Sequence, residues 1–575
     1  MLKADVFTYE VVRDSLMAIG EEMFYALART SMSPIIYEVL DFASGLTDAK
    51  GQLLTQGNGV TGFIGMLTFM VKETREKFGT NLHEGDMIIL NDPYGGGGSH
   101  LSDVGLVMPI FVDGELVAFS ANKGHWTEVG GKDPGSWTTD STEIYQEGLQ
   151  FPAVKLFDGG KLNQALIDMI AANVRFPDLS LGDLWAQVAG VRTGEKRVRE
   201  LCQKHGTSVV LQSIDYLLRH GEQLARRELA KLPNGVYMAE DFIDDDGLGN
   251  GPFRIVCKVT ITDDDFVVDF TGSDRQAPGP INCSYSGLVS SVRAVFLAAT
   301  NPSLDVNDGV FRPLRVISEP GSIIHAERPA PVSTNWESRN FAADVAWKAL
   351  SPALPDRLTA GHLESVCAVI LGGTKPDTNE PFLVVEPSVG GWGAGLGMDG
   401  QNGQFCIGDG ETYNVPVEVA ETRYGVRVRE YSFRCDGAGA GQFRGGCGVV
   451  RSYEALTDNQ FVTASFGRHK YGPWGAAGGA AGSRNEVEII RSNGKREGPF
   501  GKCARRTLHK GDVVRLITAT GGGYGNPLRR TVAAVLEDVK NGWIRVDQAK
   551  NVYGVLVNPD TYALEGLTDE RRAYV

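Results

Sequence analysis

Two histidines and an aspartate in this sequence have the residue types and spacing of a metal site. His100 and Asp103 lie three residues apart in the segment GSHLSD, directly after the glycine run Gly95–Gly98. His125 follows in the segment GHWTEVGG, and the whole chain contains only nine histidines. Two imidazoles and one carboxylate bind zinc, manganese or iron and leave coordination positions open for water or a substrate. The chemistry predicted from these residues is therefore that of a divalent metal.

A β-hairpin is the element that must bring these residues together. Residues 104–123 read VGLVMPIFVDGELVAFSANK, in which the dipeptide Asp113-Gly114 separates two apolar runs. Such a dipeptide is typical of a two-residue hairpin turn. If Val112 pairs with Glu115 across this turn, the register of the two strands is set along their length.

At the open end of the hairpin, this register places Asp103 opposite Gly124 and His125 opposite Ser102. Opposed residues in an antiparallel pair lie about 5 Å apart and diagonal ones about 7–8 Å, so His125 is predicted to lie between His100 and Asp103. Because side chains alternate between the two faces of a strand, Asp103 and His125 would point to opposite faces. The strand must therefore break or bulge at its start, which the adjacent glycines permit at low cost.

Asp41 and Glu128 are the candidates for completing the site. Asp41 begins the segment DFASGLTDAKGQLLTQ, which reads as an earlier hairpin, and from its open end it could supply a fourth ligand. Glu128 lies three residues after His125 and could orient an imidazole from outside the coordination sphere; an exposed acid is an equal alternative. The alternative for His100 and Asp103 is a pair of surface or turn residues, because isolated HxxD pairs are common.

No other segment carries a complete catalytic or nucleotide-binding motif. The sequence lacks a GxxxxGK[ST] P-loop, a GxGxxG dinucleotide fingerprint and a GxSxG nucleophile elbow, so the chain has no ordinary nucleotide site of its own. The eight cysteines form no CxxC pair, which favours reduced, buried thiols over a disulfide framework and argues against zinc bound by cysteine. The glycine-rich segment CDGAGAGQFRGGCG reads as a set of β-turns.

Helical and strand patterns along the chain predict a multi-domain α+β fold, with mixed helices and antiparallel sheets and a β-rich C-terminal part. Helical spacing recurs near the N-terminus and in the stretches 62–78, 161–231, 283–300 and 338–370. Asp-Gly and Asn-Gly turns between alternating strands begin after Gly235. Four units are predicted. Residues 1–232 form an α+β domain that carries the metal site, and residues 233–335 form a β-rich domain with a helix. Residues 336–414 form an α/β segment, and residues 415–575 form a β-rich domain.

Composition and charge exclude several classes of function. Of the 575 residues, 42% are hydrophobic and 22% are charged, as in a typical soluble globular protein. No apolar run approaches the roughly 18 residues needed to span a bilayer, and the segment MLKADVFTYEVVRDS lacks the basic and apolar regions of a signal peptide. These features predict a cytoplasmic protein without a membrane partner. The net charge of −15, with no basic block, argues against a nucleic-acid partner.

Several motifs together resemble those of the B subunits of hydantoinase and 5-oxoprolinase enzymes, and more distantly the corresponding subunit of acetone and acetophenone carboxylases. The motifs span nearly the whole chain and occur in family order: LDFASGLTDAKGQLL, NDPYGGGGSHLSDV, GHWTEVGG, APGPINCSY, NDGVFRPLRVI with PGSII, GGWGAGLGMDG, VPVEVAETRYGVRV, CDGAGAGQFRGGCGVV and GGGYGNP. Each motif alone is modest, but the ordered set is specific. The chain departs from the family at Trp126, at Glu128 and in the segment STNWESRN.

The resemblance implies a role for the predicted metal site. The family's metal ligands correspond to Asp41, His100, Asp103 and His125, with zinc as the first choice of metal and manganese as the alternative. In the family, a separate A subunit of the actin-like ATPase kind binds ATP with magnesium, in an assembly of two A and two B subunits.

The activity that the resemblance implies is ATP-dependent opening of a cyclic amide, namely a hydantoin, 5-oxoproline or a lactam. Bicarbonate is a further candidate cofactor, because either the amide or an activating carboxylate could receive the phosphoryl group. Two alternatives remain open at this point. The chain could be a subunit of an ATP-dependent ketone carboxylase, or a non-enzymatic scaffold for the ATPase subunit.

Overall fold

The computed structural model describes residues 5–57, 59–410 and 412–574. Helices and mostly antiparallel sheets are mixed along these residues, and strands are frequent towards the C-terminus, so the predicted α+β fold class is confirmed. None of the helices in these ranges combines the length and apolar character that a membrane span requires.

A seven-stranded sheet with helices on both faces forms the N-terminal part of the chain. Its helices are α1 (Val6–Thr30), α2 (Pro34–Tyr37), α3 (Thr61–Phe78), α4 (Gln164–Asn173), α5 (Pro177–His205) and α6 (Thr207–Leu229). Its strands are β1 (Phe42–Asp48), β2 (Leu53–Gln56), β3 (Met87–Leu90), β4 (Asp103–Val112), β5 (Glu115–His125), β6 (Val154–Asp158) and β7 (Lys161–Leu162). They lie in the order β2-β1-β5-β4-β3-β6-β7, and the early hairpin and the helices predicted in 62–78 and 161–231 are confirmed.

Helices cover both faces of this sheet, which explains the apolar runs of its central strands. On one face, α1, α5 and α6 share an apolar core with Leu46 and Ile110 of the sheet. On the other face, α3 packs against a second core. A strand that is buried on both faces needs apolar residues at successive positions, as in β4 and β5. The strands that carry Asp103 and His125 are therefore held in the interior.

The second part of the chain is a sheet packed against two helices. Its elements are β8 (Gly235–Ile243), β9 (Phe253–Ile261), β10 (Phe266–Asp269), α7 (Tyr285–Thr300), β11 (Leu314–Ile317) and α8 (Trp336–Leu350), with strand order β11-β10-β9-β8. The antiparallel strands predicted after Gly235 and the helix predicted at 283–300 are confirmed, and β11 adds to the edge parallel to β10. One apolar core joins α7 and α8 to the sheet, which fixes the direction of α8.

Strands dominate the C-terminal part. Its elements are β12 (Ala368–Thr374), β13 (Pro381–Glu386), α9 (Val417–Arg423), β14 (Val426–Arg434), β15 (Gly448–Ala455), β16 (Gln460–Ser465), β17 (Glu486–Ile490), β18 (Arg496–Phe500), β19 (Lys502–Leu508), β20 (Val513–Ile517), α10 (Val532–Lys540), α11 (Val546–Asn551), β21 (Val555–Val557), β22 (Leu564–Leu567) and α12 (Asp569–Arg572). The strands form sheets ordered β13-β12-β16-β19, β14-β15-β20-β17-β18 and β21-β22. The first of these sheets joins strands from both sides of the predicted boundary between residues 414 and 415.

The helix predicted over 338–370 is wrong in its second half. Helix α8 ends at Leu350, residues 351–367 form turns and loops, and the segment AVILGGT forms strand β12 from Ala368. A short apolar run of this kind shows no clear period, so pattern alone does not separate a buried strand from a helix. Pairing with β13 on one side and β16 on the other stabilises the strand.

Glycine-rich segments from distant parts of the chain pack against one another, where the sequence predicted separate β-turns. The N–H of Gly521 donates to the carbonyl of Gly446 at 2.9 Å, and the N–H of Gly439 donates to the carbonyl of Gly521 at 3.0 Å. A β-carbon on Gly521 would lie 1.8 Å from the carbonyl oxygen of Trp392. Backbone therefore contacts backbone across this cluster, which we call the glycine core, and side chains are excluded from it.

A disulfide joins Cys435 to Cys447, so the prediction of reduced thiols is wrong for this pair. The segment between them folds back into the glycine core and brings their Cα atoms to 4.4 Å, a proximity that sequence spacing does not reveal. The remaining six cysteines are free and buried, as predicted.

Candidate metal centre

The hairpin that carries the candidate ligands turns at the predicted dipeptide. Asp113 and Gly114 have φ angles of 51° and 81°, the positive values that this kind of two-residue turn requires. Val112 pairs with Glu115, so the predicted register is confirmed next to the turn.

A β-bulge between Ile110 and Phe111 changes the register farther from the turn. Beyond the bulge, Asp103 lies directly opposite His125 and not opposite Gly124 as predicted. The sequence indicated a bulge at the start of the strand, but the actual bulge near the turn has the same effect, because one extra residue moves all later side chains to the other face. Asp103 and His125 therefore share one face of the sheet.

His100, Asp103 and His125 converge on one buried point. One ligand atom from each lies within 4.8 Å of the other two, and the two imidazole rings are 5.0 Å apart between centroids. Nε2 of His100 lies 3.0 Å from Oδ1 of Asp103, yet this oxygen makes no aligned hydrogen bond within the described residues, nor does Nδ1 of either histidine. Buried polar atoms normally have partners, so a buried carboxylate oxygen without an aligned hydrogen bond, beside two buried imidazoles, fits a divalent cation.

Short-range hydrogen bonds fix the three residues relative to one another. The N–H of Asp103 donates to the carbonyl of His100 at 3.2 Å, which closes a turn between them. The hydroxyl of Ser99 donates to Oδ2 of Asp103 and leaves Oδ1 for the shared point. The N–H of His125 donates to the carbonyl of Asp41 at 3.0 Å, so β5 is tied to the start of β1 at the level of the site.

The electrostatic surroundings set the protonation states of Asp103 and His125. Burial and, to a smaller extent, the neighbouring His100 together lower the pKa of His125 to about 4. The imidazole is therefore neutral and has a free lone pair at neutral pH. Burial raises the pKa of Asp103, but the charges of His100 and Lys123 outweigh burial and hold this pKa well below its usual range. The carboxylate is therefore ionised.

Asp41, the predicted fourth ligand, lines the same cavity as the three convergent residues. Its carboxylate lies outside the group of atoms within 4.8 Å of one another. Burial raises the pKa of Asp41 well above its usual value, and repulsion from Asp103 and Asp409 raises it further. A cation between Asp41 and Asp103 would offset that repulsion, so Asp41 remains the proposed fourth ligand.

Glu128 has other partners than the imidazole expected from the sequence. Its carboxylate contacts the guanidinium of Arg175 at 2.9 Å and accepts the N–H of Phe176 at 3.2 Å. These bonds anchor the chain just before α5, whose first residue is Pro177. The buried acid therefore holds a helix start beside the site, and its position after His125 does not bring it to either ring.

Lys123 links the four-glycine loop to the candidate ligands. This buried side chain donates from Nζ to the carbonyl of Gly97 at 3.1 Å and to the carbonyl of Asp103 at 3.0 Å. One ammonium group therefore ties the loop before His100 to the backbone of Asp103, on the strand that pairs with the one carrying His125. The geometry of the three candidate ligands depends on this cross-link.

Replacing Lys123 with methionine is expected to weaken zinc binding about 10–100-fold, the usual cost of losing a group that orients a metal ligand. Methionine keeps the apolar stem but removes the donor that both carbonyls share. Competition with a chelator, followed by optical titration of the purified chain, measures the affinity. Lys196→Met is the matched control, because that side chain is 74% exposed. Equal zinc affinity in wild type and folded Lys123→Met protein would contradict the assignment.

The cavity beside the convergent residues is lined by both apolar and polar side chains. Its apolar lining residues are Ile35, Val60, Phe63, Trp137, Trp336, Val366, Ala368, Val385 and Pro387. Its polar lining residues, besides the candidate ligands, are Asn335, Arg339, Glu386 and Asp409. The candidate ligands therefore lie next to aromatic and aliphatic groups as well as to further polar groups.

Arg339 and Asp409 are two of the polar lining residues that the sequence did not reveal. Arg339 lies in the first turns of α8 and contacts Asp409 at 3.4 Å between Nη2 and Oδ1. The departure from the family in STNWESRN marked the arginine's segment but assigned it no role. Asp409 lies in a loop without any local motif, and only the tertiary fold brings it to the site.

A second HxxD pair in the chain shows why spacing alone is not enough. His83 and Asp86 have the spacing of His100 and Asp103, and their side chains approach to 3.8 Å. The His83 side chain is 59% exposed, and no third ligand joins this pair in the described part of the chain. The difference between the two pairs is the hairpin that adds His125.

Comparison with known proteins identifies relatives over nearly the whole length. The model of a family described as hydantoinase B/oxoprolinase matches residues 5–527. The provisionally named B subunit of a D-/L-hydantoinase from a Pseudomonas species is 34% identical, with 96% of each chain covered. The beta subunit of the caprolactamase of Pseudomonas jessenii is 32% identical, with 100% of each chain covered.

Two solved structures share the fold. The crystal structure of the ATP-dependent caprolactamase from Pseudomonas jessenii matches with a TM-score of 0.90 at 32% identity and covers 99% of both chains. A nucleotide-free acetone carboxylase matches with a TM-score of 0.91 at 20% identity and covers 99% of this chain and 82% of that one. The second likeness concerns the fold alone.

Proposed function

The chain belongs to the hydantoinase B/oxoprolinase family, and on that premise we propose that it is the metal-bearing B subunit of an ATP-dependent enzyme that opens a cyclic amide. Relatives in this family are named for hydantoin, caprolactam and 5-oxoproline. The hydantoinase and caprolactamase relatives are named as the B and the beta subunits of their enzymes, which implies a further chain in those assemblies. The family therefore supports a hydrolase-type enzyme, and the site carries the finer proposal.

The observation that carries the proposal is the convergence of His100, Asp103 and His125 at the wall of a small cavity. We propose that these residues, with Asp41, hold a divalent ion, with zinc the first choice and manganese the alternative. When bound, such an ion would polarise a carbonyl or phosphoryl oxygen, or lower the pKa of bound water towards about 7.

The residues of the chain prepare the site for that chemistry. Asp103 is held ionised and His125 neutral by their surroundings, so neither needs to lose a proton before it binds the cation. Trp137 and Trp336 contact each other edge to face, with ring centroids 5.4 Å apart. A small ring bound in the cavity would lie against these two indoles, which would limit the access of water to it.

We propose that ATP and magnesium bind to a separate A-type ATPase subunit, in an assembly of two A and two B subunits. An unstrained cyclic amide resists hydrolysis, so the partner would phosphorylate the amide or an activating carboxylate such as bicarbonate. The lack of a nucleotide-binding motif in this sequence supports the proposal that ATP binds to the partner and the metal to this chain. The alternative activity, carboxylation of a ketone, also requires a partner subunit that transfers a phosphoryl group from ATP.

Chelation of the metal tests this proposal directly. The chain, co-produced with its A-type partner, is expected to contain about one zinc or manganese per B subunit and to open hydantoin, a lactam or 5-oxoproline only with ATP. Removal of the metal should abolish ring opening, and zinc or manganese should restore it, while ATP binding by the partner persists. Each of the two chains alone serves as the control.

Other outcomes separate the alternatives. A metal-free preparation that retains the full rate contradicts the proposed role of the centre. Consumption of acetone and bicarbonate, without opening of any ring, would support the ketone carboxylase. A complex without metal and without turnover would support a scaffold.

A further inference from the structure

We propose that the substrate ring reaches the candidate metal centre through a second cavity, and that Ile35 and Val385, which lie between the two cavities, select the ring by its size. The inference rests on the proposed function and deepens it, because it names two side chains that decide which cyclic amides the enzyme accepts. Neither side chain is a candidate metal ligand.

The cavity beside the candidate ligands, which we call the inner cavity, needs a route for the substrate. Among the described residues that line it, none is exposed; Asp41 and Val366 are half-buried, and the others are buried. A ring can therefore enter only where few side chains separate the inner cavity from the surface, or where those side chains move aside.

A second cavity, which we call the outer cavity, meets the inner cavity at Ile35 and Val385. These two residues line both cavities. Among the described lining residues of the outer cavity, Pro381 and Arg423 are exposed. The outer cavity therefore extends from the protein surface to the two side chains that bound the inner cavity.

Strand β13 leads from one cavity to the other. Of the two cavities, Leu383 lines only the outer one, Val385 lines both, and Pro387, just beyond the strand, lines only the inner one. Leu383 and Val385 share one face of the strand, because side chains alternate, and they are about 7 Å apart along it. The path along the strand therefore crosses from the outer to the inner cavity at Val385.

Ile35 meets Val385 in one apolar core, although it belongs to the N-terminal part of the chain. It lies in α2, and the carboxylate of Asp183 fixes the segment before this helix by accepting the N–H groups of Met32 at 2.9 Å and Ser33 at 3.1 Å. Aliphatic side chains have no polar group with which to bind a ring, so their effect on its passage is steric. Removing methyl groups at this boundary should widen it.

The reactivity of a substituted cysteine tests the route without metal and without turnover. The Ala368→Cys variant places a thiol in the lining of the inner cavity and not of the outer one. In the full-length chain, adding Val385→Ala should speed modification of this thiol by methyl methanethiosulfonate at least about tenfold, which corresponds to a barrier lower by about 1.4 kcal/mol. Peptide mass spectrometry separates this site from the six free native cysteines, which are buried.

Val384→Ala is the matched control. Val384 is fully buried beside Val385 in β13, but it points to the other face of the strand, belongs to a different apolar core and lines neither cavity. The two substitutions remove the same methyl groups, and thermal unfolding shows whether both variants are folded. Equal modification rates in the Val385→Ala and Val384→Ala proteins would overturn the route and would favour entry past Asp41 or Val366.

Ring size tests the selection. 2-Pyrrolidinone and caprolactam are unsubstituted lactams that differ in ring size. With the assembled enzyme and ATP, Val385→Ala should raise the ratio of kcat/KM for caprolactam to kcat/KM for 2-pyrrolidinone at least about tenfold, the lower end of the discrimination that one methylene group produces in an apolar site. Ile35→Ala should change the ratio in the same direction, and Val384→Ala should leave it at the wild-type value.

The inference and the proposed function fail in different ways. If rings are opened but the ratio is unchanged in both Ile35→Ala and Val385→Ala proteins, selection by these residues is overturned and the proposed function stands. If no cyclic amide is opened, the proposed function fails, and the modification rates of the Ala368→Cys thiol still decide whether the route exists.

Discussion

Alanine at His100 or His125 is expected to remove the bound divalent ion and to lower ATP-dependent ring opening by at least about 10³-fold, the scale of losing a preorganised electrostatic group. Each substitution takes one imidazole from a set of three convergent donors. The remaining histidine and Asp103 then leave more coordination positions to water, so metal affinity falls as well.

Metal content and turnover must be measured on the same preparations of the assembled enzyme. Elemental analysis after gel filtration gives the metal bound per B subunit, and a coupled assay gives ring opening per ATP. Thermal unfolding of the apo proteins shows whether the substitution acts through the fold. Because the rings are buried, a modest loss of stability is expected, but not loss of the folded state.

His83→Ala is the control for this experiment. The residue belongs to an HxxD pair of the same spacing, but its ring is mostly exposed, and no third ligand joins it among the described residues. Metal content and activity should therefore equal those of the wild type. Retained metal and retained ring opening in both His100→Ala and His125→Ala proteins would refute the centre and the proposed function together.

The sequence predicted the local part of this site and missed the part built by tertiary contacts. Asp113 and Gly114 specify the turn by themselves, so the hairpin could be predicted from two residues. The register at its open end could not, because the bulge after Ile110 has no side-chain signature in an apolar run. The resulting error of one position placed Asp103 opposite Gly124, whereas the fold places it opposite His125.

The residues that line the cavity show more clearly which part of the site cannot be predicted from the sequence. Arg339 and Asp409 reach the site from a helix and a loop that are far from the hairpin along the chain, and no spacing relates them to it. For Glu128, closeness along the chain did not lead to contact in the fold. Its proximity to His125 along the chain suggested a contact, whereas the fold turns it towards Arg175.

Gly521→Ala is expected to destabilise the C-terminal sheets by at least about 3 kcal/mol, the upper part of the range for overpacking a close-packed interior. The added methyl carbon would lie 1.8 Å from the carbonyl oxygen of Trp392 and 2.2 Å from its carbonyl carbon. Both contacts are with backbone, which cannot rotate away as a side chain can. Relief therefore requires separation of the segments that form the glycine core.

The consequence should extend beyond the substituted position. Gly521 follows β20, which pairs with β15 on one side and β17 on the other. Moving the end of β20 strains the centre of this sheet. Differential scanning calorimetry of the full-length chain should show an earlier transition, and limited proteolysis should cut first between β14 and β20. The hairpin of β4 and β5 should stay protected at the same temperature.

Gly395→Ala distinguishes packing from a general intolerance of substitution. Gly395 belongs to the motif GGWGAGLGMDG, but a β-carbon there would meet Met398 and Thr359 at 3.4 Å, an ordinary van der Waals distance. This variant should unfold within about 1 kcal/mol of the wild type, since a methyl group added without steric conflict costs little. If both alanine variants are equally stable, the backbone contacts do not govern the stability of the glycine core. If only Gly521→Ala is unstable, close approach of the backbone, and not turn conformation, explains the glycines of this motif-rich region.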